Sequence, residues 1–143
     1  MNDPATLLDA DFGSFPGLIQ AWGDHRSEAP ALYDGATTLS WAETADRVER
    51  IAARLQADGL ERGQAVAILG TTTVNYALVY LAAIRAGGCA APLTTSASPD
   101  QLAGMAADSG AIHLFVDRSK LTELSDFLLP TANQIVFDEE LPA

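Results

Sequence analysis

Apolar residues fall at helical spacing in the first part of the chain and then contract into short unbroken runs. Phe15, Leu18, Ile19 and Trp22 sit at i, i+3, i+4 and i+7, which predicts a short amphipathic helix capped by Ser14 and stopped at Gly23-Asp24. Residues 24–28 are polar and read as a loop. Ala31-Leu32-Tyr33 and Thr37-Thr38-Leu39 flank Asp34-Gly35-Ala36, a hairpin signal because glycine accepts the positive φ of a tight turn. Ser40-Trp41-Ala42-Glu43 is a capping box. Behind it Ala45, Val48, Ala52 and Leu55, with Ile51 beside them, form one stripe of a longer helix ended by Asp58-Gly59. Glu43→Arg47 and Asp46→Arg50 are i, i+4 pairs in the favourable order, worth a few tenths of a kcal/mol each.

From Ala65 the pattern changes. Ala65-Val66-Ala67-Ile68-Leu69 is apolar without alternation, which predicts a strand buried on both faces of a parallel sheet. Gly70-Thr71-Thr72-Thr73 leads into a helix to about Ala86, apolar nearly all round and so expected to be buried on more than one side. After Gly87-Gly88, residues 89–93 form a strand with Pro92 at its end or at a sheet edge. Ser98-Pro99-Asp100-Gln101 is a second capping box opening a helix to about residue 109. Residues 112–116 form a strand, Leu121, Leu124 and Leu128 a short helix stopped by Pro130, and residues 134–137 a last strand. The order β-α-β-α-β-α-β predicts an α/β fold: a mostly parallel sheet with helices on both faces, preceded by a short helix and a hairpin. The expected divisions are a loose arm over 1–13, the helix and hairpin over 14–39 and the α/β core over 40–143.

Composition narrows the function classes. A length of 143 residues suits one unit with a real core, and 48% hydrophobic against 19% charged residues excludes a disordered chain. The net charge of −11 argues against a general nucleic-acid or anionic-membrane surface, which needs clustered Lys and Arg. The one cysteine, Cys89, fits a reducing compartment and reads as a small core residue. The N-terminus carries no signal-peptide pattern, and the longest apolar stretch, residues 77–84, is far short of the ~20 residues that span a bilayer, so the expectation is a soluble cytoplasmic protein.

Parallel sheets bind ligands beyond the carboxyl ends of their strands. Four loops qualify: Gly70–Thr73, Thr94–Ala97, Asp117–Ser119 and Asp138–Glu140. The first offers a glycine and three hydroxyls at a helix N-terminus, but no Lys follows and no G-x-x-x-x-G-K-[ST] or G-x-G-x-x-G is present, so simple N-capping by Thr72 or Thr73 is favoured over a phosphate site. Asp117 at a strand end would suit a phospho-acceptor, yet the acidic pair such a site needs is replaced by Gly70-Thr71-Thr72. His113 lies inside an apolar strand and His25 is distant in sequence, so neither is assigned a catalytic role. No metal-ligand spacing and no nucleophile elbow occur. The residues themselves assign no catalytic group and no metal ligand, and leave cofactor-binding residues open.

The order of segments says more. Leu39-Ser40-Trp41-Ala42-Glu43 runs into residues 47–55, then Gly59, Gly63 and residues 66–69. Tyr80-Leu81-Ala82-Ala83-Ile84-Arg85-Ala86-Gly87-Gly88 leads to Ala91-Pro92-Leu93, and Asp108-Ser109-Gly110-Ala111 to Leu114-Phe115-Val116-Asp117. This resembles the N-terminal part of the AMP-binding, adenylate-forming superfamily, which includes acyl-CoA synthetases, luciferases and the adenylation domains of peptide synthetases. The wording is most similar to a bacterial acyl-CoA ligase, such as those of fatty acid metabolism, with the stretch over residues 80–93 the most specific.

The resemblance implies a flavodoxin- or Rossmann-like first subdomain of a larger ATP-dependent ligase. A carboxylic acid would be adenylated with ATP and Mg²⁺, and coenzyme A would then displace AMP. It also implies that the phosphate loop, the ribose-binding acidic motif and the catalytic lysine belong to later segments, so this chain is expected to be non-catalytic alone. Where the family commonly has Pro-Asn and an acidic residue, this chain has Thr71-Thr72 and Asn75. The alternatives are a stand-alone binding or regulatory module derived from that subdomain, and an unrelated nucleotide-binding α/β protein. A homo-oligomer is compatible with each.

Overall fold

The apolar run at Ala65–Leu69 forms β3, and its alternate residues go to two different cores. Val66 and Ile68 pack with one hydrophobic cluster, Ala67 and Leu69 with another, and all four are fully buried. A strand covered on both sides has no polar face to show, which is why its sequence lacks alternation. The computed structural model describes residues 3–11, 13–125 and 133–137.

Helices α1 (Pro4–Leu8) and α2 (Phe15–His25) come first, followed by a hairpin of β1 (Pro30–Tyr33) and β2 (Thr38–Ser40). Then come α3 (Trp41–Ala57), β3, α4 (Val74–Arg85), β4 (Cys89–Pro92), α5 (Pro99–Ser109), β5 (His113–Val116), α6 (Arg118–Glu123) and β6 (Asn133–Val136). The main sheet is parallel throughout, in the order β4-β3-β5-β6. Residues of α3 and α4 share a cluster with Val66, Ile68, Phe115 and Phe137, and Leu102, Leu121 and Leu124 of the α5–α6 region join Ala67, Leu69, Leu114 and Val116. The α/β class with helices on both faces is therefore as expected.

Both capping boxes form. Ser40 Oγ accepts the Glu43 amide at 3.2 Å while Glu43 accepts the Ser40 amide at 2.8 Å, and Ser98 and Gln101 do the same at 3.3 and 3.0 Å. Glu43 thus spends its carboxylate on the cap instead of on Arg47, whereas Asp46 pairs with Arg50 at 2.9 Å as expected.

Three expectations are corrected. Pro4–Leu8 form a one-turn helix within the stretch read as an arm, capped by Asp3, whose carboxylate accepts the Thr6 amide. Gly23 does not stop α2, which runs on to His25; it lets α2 approach α3, since a Cβ there would lie 3.0 Å from that of Ala45. Cys89 is exposed instead of buried, because β4 is the edge of the sheet. Helix α4 is buried on more than one side as expected, against the sheet and against α3, through Val74, Leu78, Val79, Ala82 and Ala83, while Tyr80 is 40% exposed and Ala77, Leu81 and Ile84 are half-buried. Leu128 and Pro130, read as the end of the α6 helix, lie outside the described residues.

Gly87-Gly88 ends α4 with two separate demands. Gly87 has φ +89°, and the Gly88 amide returns to the Ala83 carbonyl at 2.9 Å, the signature of a Schellman stop. Gly88 itself lies against the Gln64 carbonyl, where a Cβ would be 2.9 Å away.

Candidate functional site

The chain leaves β3 through α4 toward β4, and leaves β5 through α6 toward β6, in opposite directions along the sheet and on opposite faces. The carboxyl ends of the adjacent strands β3 and β5 therefore mark the topological switch point, where an open α/β sheet normally has its ligand crevice. Gly70 and Asp117, the residues that follow these strands, meet there.

The crevice is filled from within. The Asp117 carboxylate accepts the Thr71 amide at 2.7 Å and stands over Gly70, where a Cβ would come within 2.5 Å of Oδ1. Asp117 is itself fixed by its amide, which donates to the Leu69 carbonyl at 3.0 Å. One turn further on, Asp34 of the hairpin reaches the start of α4: its Oδ2 accepts the Val74 amide at 2.8 Å. Its Oδ1 accepts the amides of Ala36 and Thr37 at 3.0 and 2.8 Å. These donated bonds, Val74 first, hold the Asp34 carboxyl below its ordinary pKa by stabilising the anion. Thr73 Oγ1 accepts the Tyr76 amide at 3.2 Å, so Thr73, one of the two hydroxyls expected to cap, is the N-cap.

The neighbouring loops are tied down as well. Lys120, the chain's single lysine, donates to the Thr95 carbonyl at 3.0 Å and to Glu123 at 3.1 Å, fastening Thr94–Ala97 to α6. The hydroxyls of Thr94 and Ser96 share a bond of 2.9 Å. Asn75, at the position where the resemblance called for an acid, donates its Nδ2 to the Phe137 carbonyl at 2.8 Å and joins α4 to the end of β6. Three of the four loops read as ligand candidates are thus connected to their surroundings through side chains; Asp138–Glu140 lies outside the described residues.

These contacts decide the fit of a triphosphate. Amides that could cradle a phosphate, those of Thr71 and Val74, already donate to carboxylates, and an incoming phosphate would meet two negative charges. The Thr71 and Val74 amides are therefore not open to the phosphates of ATP. Among the described residues no three His, Cys, Asp or Glu side chains converge to hold a metal ion.

The other sequence candidates are dispersed. His113 is fully buried in β5, and burial pushes its pKa down, against a smaller opposing pull from Asp58. His25 ends α2. A shallow groove of about 430 Å³ runs between the open end of the hairpin and α3, lined by Glu28, Pro30, Thr38, Ser40, Ala42 and Glu43. It lies at the end of the hairpin opposite Asp34. The roles of Asp34 and Lys120 were not visible in the sequence, because their partners are remote in the chain and neither bond follows a local motif.

The model of the AMP-binding enzyme family matches residues 19–141. The chain belongs to that family. As an AMP-binding family member it is 35% identical over 86 residues to malpibaldin synthetase of Mortierella alpina, which covers 60% of this chain and 2% of that protein. It is 28% identical over 113 residues to surfactin synthase subunit 3 of Bacillus subtilis, covering 79% of this chain and 9% of that protein. Its fold is that of the N-terminal domain of FACL13 from Mycobacterium tuberculosis, with a TM-score of 0.81 at 17% identity, covering 89% of this chain and 34% of that one. It also matches O-succinylbenzoate coenzyme A synthetase of Bacillus subtilis in complex with AMP, with a TM-score of 0.71 at 24% identity over 85% of this chain and 31% of that one. The chain thus spans less than a tenth of these curated relatives and about a third of these solved structures. Adenylate-forming enzymes as a class use ATP and Mg²⁺ and act on a carboxylate, with coenzyme A or a carrier protein as the acceptor. Among the described residues no helix is long and apolar enough to cross a membrane.

Proposed function

We propose that this chain is the N-terminal portion of an ATP-dependent, cytoplasmic acyl-CoA ligase and that it performs no chemistry alone. The family match over residues 19–141 carries this reading. In the reaction, a carboxylate oxygen attacks the α-phosphorus of ATP and pyrophosphate leaves, giving an acyl-adenylate. The thiolate of coenzyme A then attacks the acyl carbon and AMP leaves. Stabilising the charge on the transferring phosphoryl group is the main catalytic demand, and it calls for cations and free N–H donors. Two amides of the crevice at Gly70 and Asp117 are already taken by carboxylates, which supports a scaffold role for the residues of this chain. They hold the carboxyl-edge loops in place and supply one wall of a larger domain.

A second acceptor is favoured by a specific observation. The curated relatives at 28–35% identity include a probable non-canonical nonribosomal peptide synthetase of Salinispora arenicola and a hybrid PKS-NRPS synthetase of Aspergillus niger, which points to a carrier-protein thiol in place of coenzyme A. Both acceptors present the same phosphopantetheine thiol, so the reading is one chemistry with two sources.

The test supplies the complete polypeptide encoded by the gene with ATP, Mg²⁺ and a panel of carboxylic acids. One arm adds coenzyme A and the other a phosphopantetheinylated carrier protein. Acyl-CoA detected by mass spectrometry supports the ligase. Loading of the carrier alone assigns the peptide-synthetase type. Thioester in neither arm overturns both and leaves a stand-alone, non-catalytic module.

A further inference from the structure

The turn between β3 and α4 is held by two carboxylates that arrive from opposite sides. Asp34 lies 40 residues before Val74 and bonds its amide; Asp117 lies 46 residues after Thr71 and bonds that amide. Thr71 and Thr72 are exposed, so the middle of the turn has little packing to fix it. Each carboxylate is itself anchored, Asp34 within the hairpin by the amides of Ala36 and Thr37, Asp117 across the sheet by its own amide, which donates to the Leu69 carbonyl of β3.

We propose that Asp34 and Asp117 form a two-point latch on this turn, so that the hairpin tip, the start of α4 and the end of β5 open and close as one unit. Release of either carboxylate loosens the turn, and a loosened turn holds the other carboxylate less well. Segments far apart in sequence then share one local opening, as in a foldon. The latch is a property of the folded chain and does not depend on which acceptor the parent ligase uses.

Amide hydrogen exchange on the complete gene product tests it, with Asp34→Ala, Asp117→Asn and the double variant. Asp34→Ala should speed exchange at Val74 by about tenfold, since a bond to a charged acceptor is lost. Tyr76, capped locally by Thr73, should change far less. The decisive residues are Ala36 and Thr37. Asp117→Asn alters the bond to Thr71, not one to the hairpin, yet it should speed exchange at the hairpin tip. The double variant should fall short of the product of the single effects at Val74, because each single variant already weakens the other bond. Unchanged protection at Val74 in Asp34→Ala, or a hairpin indifferent to Asp117→Asn, overturns the latch. If Asp34→Ala loses protection throughout the chain, Asp34→Asn, which keeps one acceptor oxygen, supplies the same comparison.

Discussion

The carboxylate of Asp117 lies over Gly70 so closely that a Cβ on residue 70 would come within 2.5 Å of Oδ1 and 2.7 Å of Cγ. Gly70→Ala must therefore push Asp117 aside and break its bond to the Thr71 amide. The expected cost is about 1–3 kcal/mol, the usual range for overpacking. Chemical denaturation of the two proteins measures it. Asp117→Ala in the Gly70→Ala background should recover part of the loss, since the steric conflict is then gone; equal stability of Gly70→Ala and the parent would contradict the geometry.

His113 predicts a dependence of stability on mildly acid pH. Burial lowers its pKa in the folded state below the ordinary value of 6.5, while the unfolded chain keeps that value. The unfolded state then binds the proton first, so the contribution is fully present above 6.5 and declines as pH falls below it. The denaturation midpoint should fall between about pH 7 and about pH 5.5, and His113→Gln should flatten that part of the curve. An identical slope in the variant would show that other groups are responsible.

Asp34 acts in the same sense at the acid end of the range. Its folded pKa is lowered below the ordinary 3.8 by the amides of Val74, Thr37 and Ala36. Its contribution is present above 3.8 and is lost as pH falls through the lower folded value. Asp34→Asn should remove this portion of the acid sensitivity and leave the His113 portion intact, which a stability profile over both ranges resolves.

Thr44 is 1% exposed, and its Oγ1 has no hydrogen-bond partner. A buried hydroxyl in that state costs about 1–3 kcal/mol of desolvation. Thr44→Val replaces it by a methyl of nearly the same shape. The variant should be as stable as the parent or more so by about 1 kcal/mol in thermal or chemical unfolding. A clear destabilisation would mean that the hydroxyl has a role in the folded chain.

Much of the fold was legible because its causes are local. Ser40 and Ser98 each carry their capping partner three residues on, Asp34-Gly35 marks the turn, and the run Ala65–Leu69 states that its strand is covered on both sides. The misreadings came where sequence cannot show what lies across space. Gly23 reads as a helix stop until Ala45 is seen against it, and Cys89 reads as core until β4 is known to be an edge. The site was less legible still. The loop Gly70–Thr73 looked open to an anion, and the two residues that close it, Asp34 and Asp117, are 83 positions apart and joined only through the turn they both bond.

On the proposed function, this chain is scaffold within an adenylating enzyme and forms no adenylate alone. Pyrophosphate–ATP exchange dependent on a carboxylic acid tests it most directly, run on the complete gene product and on residues 1–143 alone. Exchange is expected from the complete product and none from the isolated chain. No exchange from the complete product with any acid, or exchange catalysed by residues 1–143 alone, would contradict it.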